Sequence, residues 1–174
     1  MIVFLSYMPP ISRERIITML MQKAKKELSG TVPGFDAGYH ATEILVYTWI
    51  SFEAFTCLRY NLAKPSERNK AFCDEFSERY KQEYNEFPDE FKKMLIGLAS
   101  YIIIDMSPGK KKPNAEIKDS RDLTQVIASV YRVRCNLFHG GKDINEITDI
   151  TLVKCAGTVL YYILEKFLRE EHLI

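Results

Sequence analysis

The chain of 174 residues lacks several features that mark specialised classes of protein. It has no excess of charge, because 24 Lys and Arg stand against 23 Asp and Glu, for a net charge of +1. A domain that binds nucleic acid through overall charge alone is far more basic, so any such contact must depend on a local cluster. No run of 18 apolar residues is present, which argues against a membrane-spanning helix. A G-x-x-x-x-G-K-[ST] frame is also missing, so the sequence predicts no P-loop.

The four cysteines, at positions 57, 73, 135 and 155, form no C-x-x-C pair. Their spacing therefore supports neither a zinc ribbon nor a thioredoxin-type motif. Because their neighbours are apolar and helical, we expect reduced and mostly buried thiols. The apolar run at residues 1–8 is too short for a signal-peptide core and lacks a basic flank. We therefore expect a cytoplasmic protein.

Apolar residues recur at three- and four-residue spacing along most of the chain, which predicts helices. Their expected bounds are a first helix capped by Ser12 and ended by Gly30, then 42–63, 67–84, a fourth helix from Pro88, a fifth from Asp119 or Ser120 to Gly140, and a sixth over 149–170. Residues 105–120 form the one long irregular segment. We predict an all-α fold, an antiparallel bundle of five or six helices. Residues 1–40 form an N-terminal arm and first helix, and residues 41–174 form the main helical domain of a single globular unit.

The second helix is apolar on most sides and is expected at the centre of the core. Glu53 within it is expected to be a paired or edge-facing carboxylate. The fourth-residue repeat of Phe72, Phe76 and Tyr80 on the third helix predicts core packing rather than a platform for bases. The expected buried faces also include Leu62 of the second helix, Tyr101 and Ile102 of the fourth, and Leu137 and Phe138 of the fifth.

The chain has three histidines, and His139 has the most suggestive surroundings. It follows Arg134 by five residues, and Asn136 lies between them, so a cation, an amide and an imidazole gather near the end of the fifth helix. The negative end of the helix dipole stabilises a protonated imidazole there. The alternative is structural: His139 bonds a carbonyl and caps the helix, while Arg134 forms a salt bridge with a neighbouring acid.

The segment 131–142, YRVRCNLFHGGK, resembles the signature of the HEPN superfamily (higher eukaryotes and prokaryotes nucleotide-binding domains). That family carries an R-x(4–6)-H motif near the end of a long helix in a compact α-bundle. The helix order over residues 40–170 is similar as well. The motif positions in this chain are Arg134 and His139, although Arg132 also stands within the allowed spacing.

The resemblance implies a metal-independent endoribonuclease that acts as a homodimer with its two motifs facing each other. Arg134 and His139 would be catalytic, with Asn136 in support, and neither a metal nor a cofactor is expected. The products would be 2′,3′-cyclic phosphate and 5′-hydroxyl ends. Lys142 and a loop with Lys110, Lys111 and Lys112 are expected to bind flanking RNA phosphates. A toxin or a defence role is expected, with an antitoxin protein as a further partner.

Two alternatives remain open at this stage. Many active HEPN proteins have a polar residue directly after the arginine, where this chain has Cys135. That departure favours a non-catalytic HEPN-like dimer that binds RNA, a nucleotide or a protein partner. Cys135 and His139, four residues apart on one helix, also allow a cysteine hydrolase, although neither has an evident third orienting group.

Overall fold

The computed structural model describes residues 10–30, 36–106, 113–139 and 146–174. Within these ranges it contains six α-helices and a short 3₁₀-helix, Tyr84–Glu86. The α-helices are α1 Pro10–Ser29, α2 Asp36–Tyr60, α3 Pro65–Glu83, α4 Asp89–Ala99, α5 Leu123–Phe138 and α6 Ile147–Glu170. The same ranges hold no β-strand, only an isolated antiparallel bridge between Ile103 and Ala115. The predicted all-α bundle is therefore confirmed.

Several helix ends differ from the predicted ones for local reasons. Helix α2 stops at Tyr60 rather than at residue 63, because Asn61 takes a left-handed conformation with φ 46°. Helix α5 begins at Leu123 rather than near Asp119. The side chain of Asp122 caps it by accepting hydrogen bonds from the backbone N–H groups of Thr124 and Gln125, at 2.9 and 3.2 Å. The predicted stop at Gly30 is confirmed.

Helix α2 occupies the centre of the bundle, as expected, and packs against α1, α3 and α6. Its Trp49, Phe52 and Phe55 are buried. The predicted core role of the α3 aromatic side chains is also confirmed, since Phe72, Phe76 and Tyr80 are all buried. Helix α1 packs along α2, across the predicted division at residue 40. That division stays a prediction.

Glu53 of α2 is buried in an ion pair, which confirms the expectation of a paired carboxylate. Its Oε2 lies 2.7 Å from Nη2 of Arg68 on α3, and both side chains are almost inaccessible to solvent. Arg68 also donates to the carbonyls of Leu62 and Ala63, at 2.8 and 3.0 Å. The arginine thereby satisfies backbone groups just after α2 and joins α2 to α3.

Three of the expected core positions are exposed. Ile102 is 60 % exposed because α4 ends at Ala99 and the chain beyond it is extended, so alternate residues face opposite sides. Ile103 and Asp105 point inward and are buried, whereas Ile104 and Met106 point outward. Phe138, 47 % exposed, lies at the last position of α5, and Leu62 lies beyond the end of α2.

The four cysteines are free thiols, as expected. Cys73 and Cys155 are buried, and Cys57 and Cys135 are half-buried. Burial raises the pKa of Cys73 to about 12, so this thiol stays protonated near neutral pH.

In the described part of the chain, α6 is the one helix long and apolar enough to cross a membrane by length and composition. A core helix meets the same criterion, and 61 % of the apolar window of α6 is buried inside the bundle. The packing of α6 against α2, α4 and α5 accounts for its apolar composition.

Candidate functional site

The arginine–histidine motif lies at the C-terminal end of α5, which packs against α3 and α6. The helix ends at Phe138, and His139 occupies the position after it, with φ −94° and ψ 10°. The backbone N–H of His139 still donates to the carbonyl of Cys135, at 3.0 Å. The motif is therefore held by regular helix up to its last residue.

The guanidinium of Arg134 lies between two aromatic rings. Its Cζ is 5.5 Å from the ring centroid of Trp49 and 4.7 Å from that of Phe138. Such contacts hold a cation without neutralising it. Among the described residues no carboxylate pairs with Arg134, and its Nε is buried without a hydrogen-bond partner. The expected alternative of a salt bridge is therefore not found in this part of the structure.

Arg132, the other arginine within the motif spacing, is committed to the fold. Its Nη1 lies 2.5 Å from Oδ1 of Asp105, and the two side chains are 9 % and 2 % exposed. Its Nη2 donates to the carbonyl of Pro113, at 3.1 Å. A guanidinium used in this way cannot also bind a phosphate on the surface, so Arg134 is the better placed of the two.

Asn136 is 1 % exposed and uses both ends of its amide on the backbone. Its Nδ2 donates to the carbonyl of Ile104, at 2.7 Å, and its Oδ1 accepts from the N–H of Met106, at 3.1 Å. With both ends of the amide bonded to the backbone, the supporting role that this arrangement offers Asn136 is a positioning role. Arg132 and Asn136 are four residues apart and share one face of α5. Arg132 bonds the backbone of Pro113 and Asn136 bonds the backbone of Met106. This face of α5 therefore holds the two residues that flank segment 107–112.

The imidazole of His139 is exposed to solvent. Among the described residues it has no side-chain hydrogen bond, neither to a carbonyl nor to Arg134. Both motif residues thus lie at the C-terminal end of α5, and among the described residues no hydrogen bond joins their side chains. One chain presents one exposed imidazole and one cation that has no acidic partner in the described structure.

The expected phosphate-binding lysines, Lys110, Lys111, Lys112 and Lys142, lie outside the described residues. So do the N-terminal arm at residues 1–9 and the glycines at 140 and 141. Their predicted roles stay predictions.

Cys135 contacts a tyrosine on its own helix. Burial is the larger cause, and a hydrogen bond with Cys135 the next, of a raised pKa of Tyr131. The ring centroid of Tyr131 lies 5.7 Å from that of Trp49. The described structure shows no hydrogen bond between the Cys135 thiol and His139. The geometry therefore offers little support for a cysteine hydrolase, which needs its base within hydrogen-bond reach.

A second group of chemically active side chains escaped the sequence analysis. Glu27 of α1 and His40 and Glu43 of α2 place one ligand atom each within 4.8 Å of one another. The H-x-x-E spacing of His40 and Glu43, which puts both on one face of a helix, is the signal that could have found it. The contribution of Glu27 depends on the packing of α1 against α2.

Comparison of the chain with protein-family models, curated proteins and solved structures gives no match. The resemblance to HEPN proteins therefore rests on the sequence alone, namely on the motif residues and the order of the predicted helices.

Proposed function

We propose that the protein is a metal-independent endoribonuclease of the HEPN type, active as a homodimer. Arg134 stabilises the charge that develops on the scissile phosphate, and His139 transfers protons. The reaction leaves 2′,3′-cyclic phosphate and 5′-hydroxyl ends. A role as a toxin or in defence, restrained by an antitoxin protein, would fit such an activity.

The observation that carries this proposal is the environment of Arg134. A cation held between Trp49 and Phe138, without an acidic partner among the described residues, keeps its charge for an external anion. The planar guanidinium fork matches two phosphate oxygens and does not lose its proton. Buried arginines elsewhere in the bundle contrast with it, since Arg68 and Arg132 are each paired with a buried carboxylate.

The chemistry requires two proton-transfer groups. A base removes the proton from the 2′-hydroxyl, whose oxygen attacks the phosphorus, and an acid protonates the departing 5′-oxygen. One imidazole can perform one of these roles at a time. A two-fold dimer would supply a second His139, so that one copy acts as the base and the other as the acid, while Arg134 stabilises the pentacoordinate phosphate.

An exposed apolar edge beside the motif supports the dimer. Ile102, Ile104 and Met106 are 60, 56 and 51 % exposed, and all three side chains point outward from one extended segment. Asn136 ties this segment to the motif helix, and Phe138 adds a ring that is 47 % exposed. Exposed apolar side chains of this kind are typical of protein–protein contact. In the proposed dimer a second copy packs on this edge.

The test is cleavage of end-labelled RNA by purified protein in excess EDTA. We expect wild type to cleave, with cyclic phosphate ends, and both His139→Ala and Arg134→Ala to lose at least about 100-fold in rate. Arg134→Lys keeps the charge without the fork and should fall between wild type and Arg134→Ala. Matched controls are His172→Ala, an exposed histidine just beyond α6, and Arg121→Ala, an exposed arginine that lies over the ring of Tyr84.

Each outcome has a defined meaning. Full activity in Arg134→Ala or His139→Ala would remove that residue from the site. RNA binding by wild type and by His139→Ala, without cleavage by either, would replace the nuclease with the non-catalytic binding dimer. Loss of activity in Ile104→Asp together with a monomeric sedimentation profile would support the shared site, whereas an active monomer would refute it.

A further inference from the structure

We propose that Glu27, His40 and Glu43 form a binding site for a divalent first-row transition-metal ion of the Zn²⁺ type, at the junction of α1 and α2. The site is separate from the arginine–histidine motif and is not needed for the proposed cleavage of RNA. It combines one imidazole with two carboxylates, each half-buried.

The donor atoms are close to a coordinating arrangement. All three lie within 4.8 Å of one another, and Nδ1 of His40 is 2.5 Å from Oε2 of Glu27. Two ligands of one tetrahedral ion, each at about 2.1 Å, stand about 3.4 Å apart. Insertion of an ion therefore needs a shift of about 1 Å in the Glu27 side chain, which a rotation near the end of a long side chain provides.

The charge of the group suits a divalent cation. With the ring nitrogen deprotonated, as metal ligation requires, the group carries a charge of −2, and the described ion pairs give neither carboxylate a lysine or arginine partner. Glu27 and His40 are nevertheless partly shielded, with side chains 18 and 29 % exposed. A cation would neutralise this charge in surroundings where water screens it incompletely.

A hydrogen bond from outside the group orients one of the carboxylates. The hydroxyl of Tyr47 donates to Oε1 of Glu43, at 3.2 Å. Outer groups of this kind commonly fix the ligands of protein-bound metal ions.

The donor set and its surroundings indicate the class of ion. Imidazole favours Zn²⁺ and its neighbours over Mg²⁺ and Ca²⁺, which prefer sites made only of oxygen ligands. Three protein ligands leave a position for water or a small ligand, as in catalytic zinc sites. Glu27 and His40 line a cavity of about 820 Å³ between α1, α2, α4 and α6, so that position has room for a ligand.

The test is titration of the whole 174-residue chain with Zn²⁺ by isothermal calorimetry. We expect one ion per chain at this site, and at least about tenfold weaker binding in His40→Ala and in Glu43→Gln. Glu43→Gln does not alter the contact between His40 and Glu27. Weaker Zn²⁺ binding in this variant therefore reports the loss of a metal ligand, not the loss of that contact. His172→Ala and Glu14→Gln, on other surfaces, are the matched controls and should bind as wild type does. Mg²⁺ should bind more weakly than Zn²⁺.

The four free thiols require one further measurement, the absorption spectrum of the Co²⁺-loaded protein. Nitrogen and oxygen ligation gives no intense sulfur-to-metal charge-transfer band, whereas ligation by cysteine does. Absence of Zn²⁺ binding, equal binding by wild type, His40→Ala and Glu43→Gln, or a strong thiolate band would each overturn the proposal. RNA cleavage in EDTA is independent of these results, so the metal site and the nuclease can fail separately.

Discussion

Replacement of Asn136 by alanine tests whether α5 holds the extended segment that we place at the dimer interface. The change removes two hydrogen bonds, one to the carbonyl of Ile104 at 2.7 Å and one from the N–H of Met106 at 3.1 Å. Each buried backbone group left unpaired costs about 1–3 kcal/mol. Because both bonds are only partly buried, water compensates in part, and we expect a loss of about 2–4 kcal/mol of stability in total.

The assay is urea unfolding followed by far-UV circular dichroism, at two protein concentrations because a dimer makes stability depend on concentration. Asn69→Ala is the matched control. This asparagine lies on α3, and its buried Oδ1 has no hydrogen-bond partner among the described residues, so its removal should leave stability unchanged or raise it slightly. A loss below about 1 kcal/mol in Asn136→Ala would refute the inference that these two bonds anchor the segment.

The same variant links structure to activity. Asn136 does not reach the surface, so its loss leaves Arg134 and His139 chemically intact. If the proposed dimer uses Ile104 and Met106, Asn136→Ala should weaken association in sedimentation equilibrium. RNA cleavage should then recover as protein concentration rises. Cleavage that is lost at every concentration, with the dimer intact, would instead assign Asn136 a role within the site.

Two further predictions concern packing and pH. Gly157→Ala should lower the free energy of unfolding by about 1–3 kcal/mol, because the new Cβ would lie 2.8 Å from the backbone N of Leu45. Gly30→Ala is the control: its new Cβ would lie 3.5 Å from its nearest neighbour, the carbonyl oxygen of Glu27, so the free energy of unfolding should hardly change. Both are measured by urea unfolding. Hydrogen bonds from Arg59 lower the pKa of Glu75 in the folded state. The Glu75 carboxylate therefore stabilises the fold fully at pH values above the pKa that it has in the unfolded chain. This stabilisation is lost as the pH falls through the lower pKa of the folded state. The stability difference between wild type and Glu75→Gln should therefore be present at pH 7 and vanish in acid; a difference independent of pH would contradict this.

The sequence by itself determined the helical class and the centre of the bundle. Apolar side chains on most sides of a helix leave water only when that helix is surrounded by others, so α2 could be identified as the central helix from its pattern. The end of α1 at Gly30 was also readable from the sequence. The motif at Arg134 and His139 was visible because the two residues lie within two turns of each other at the end of one helix.

Only the tertiary structure decided what each polar residue contacts. Arg132 and Arg134 both fit the motif spacing, yet Asp105 arrives from a distant segment and pairs with Arg132, and no described carboxylate pairs with Arg134. Asn136 is buried because the segment at Ile104 crosses α5, and Glu27 meets His40 because α1 packs along α2. Such contacts join residues far apart in the chain, and a local pattern of side chains carries no record of which distant partner will be brought beside it.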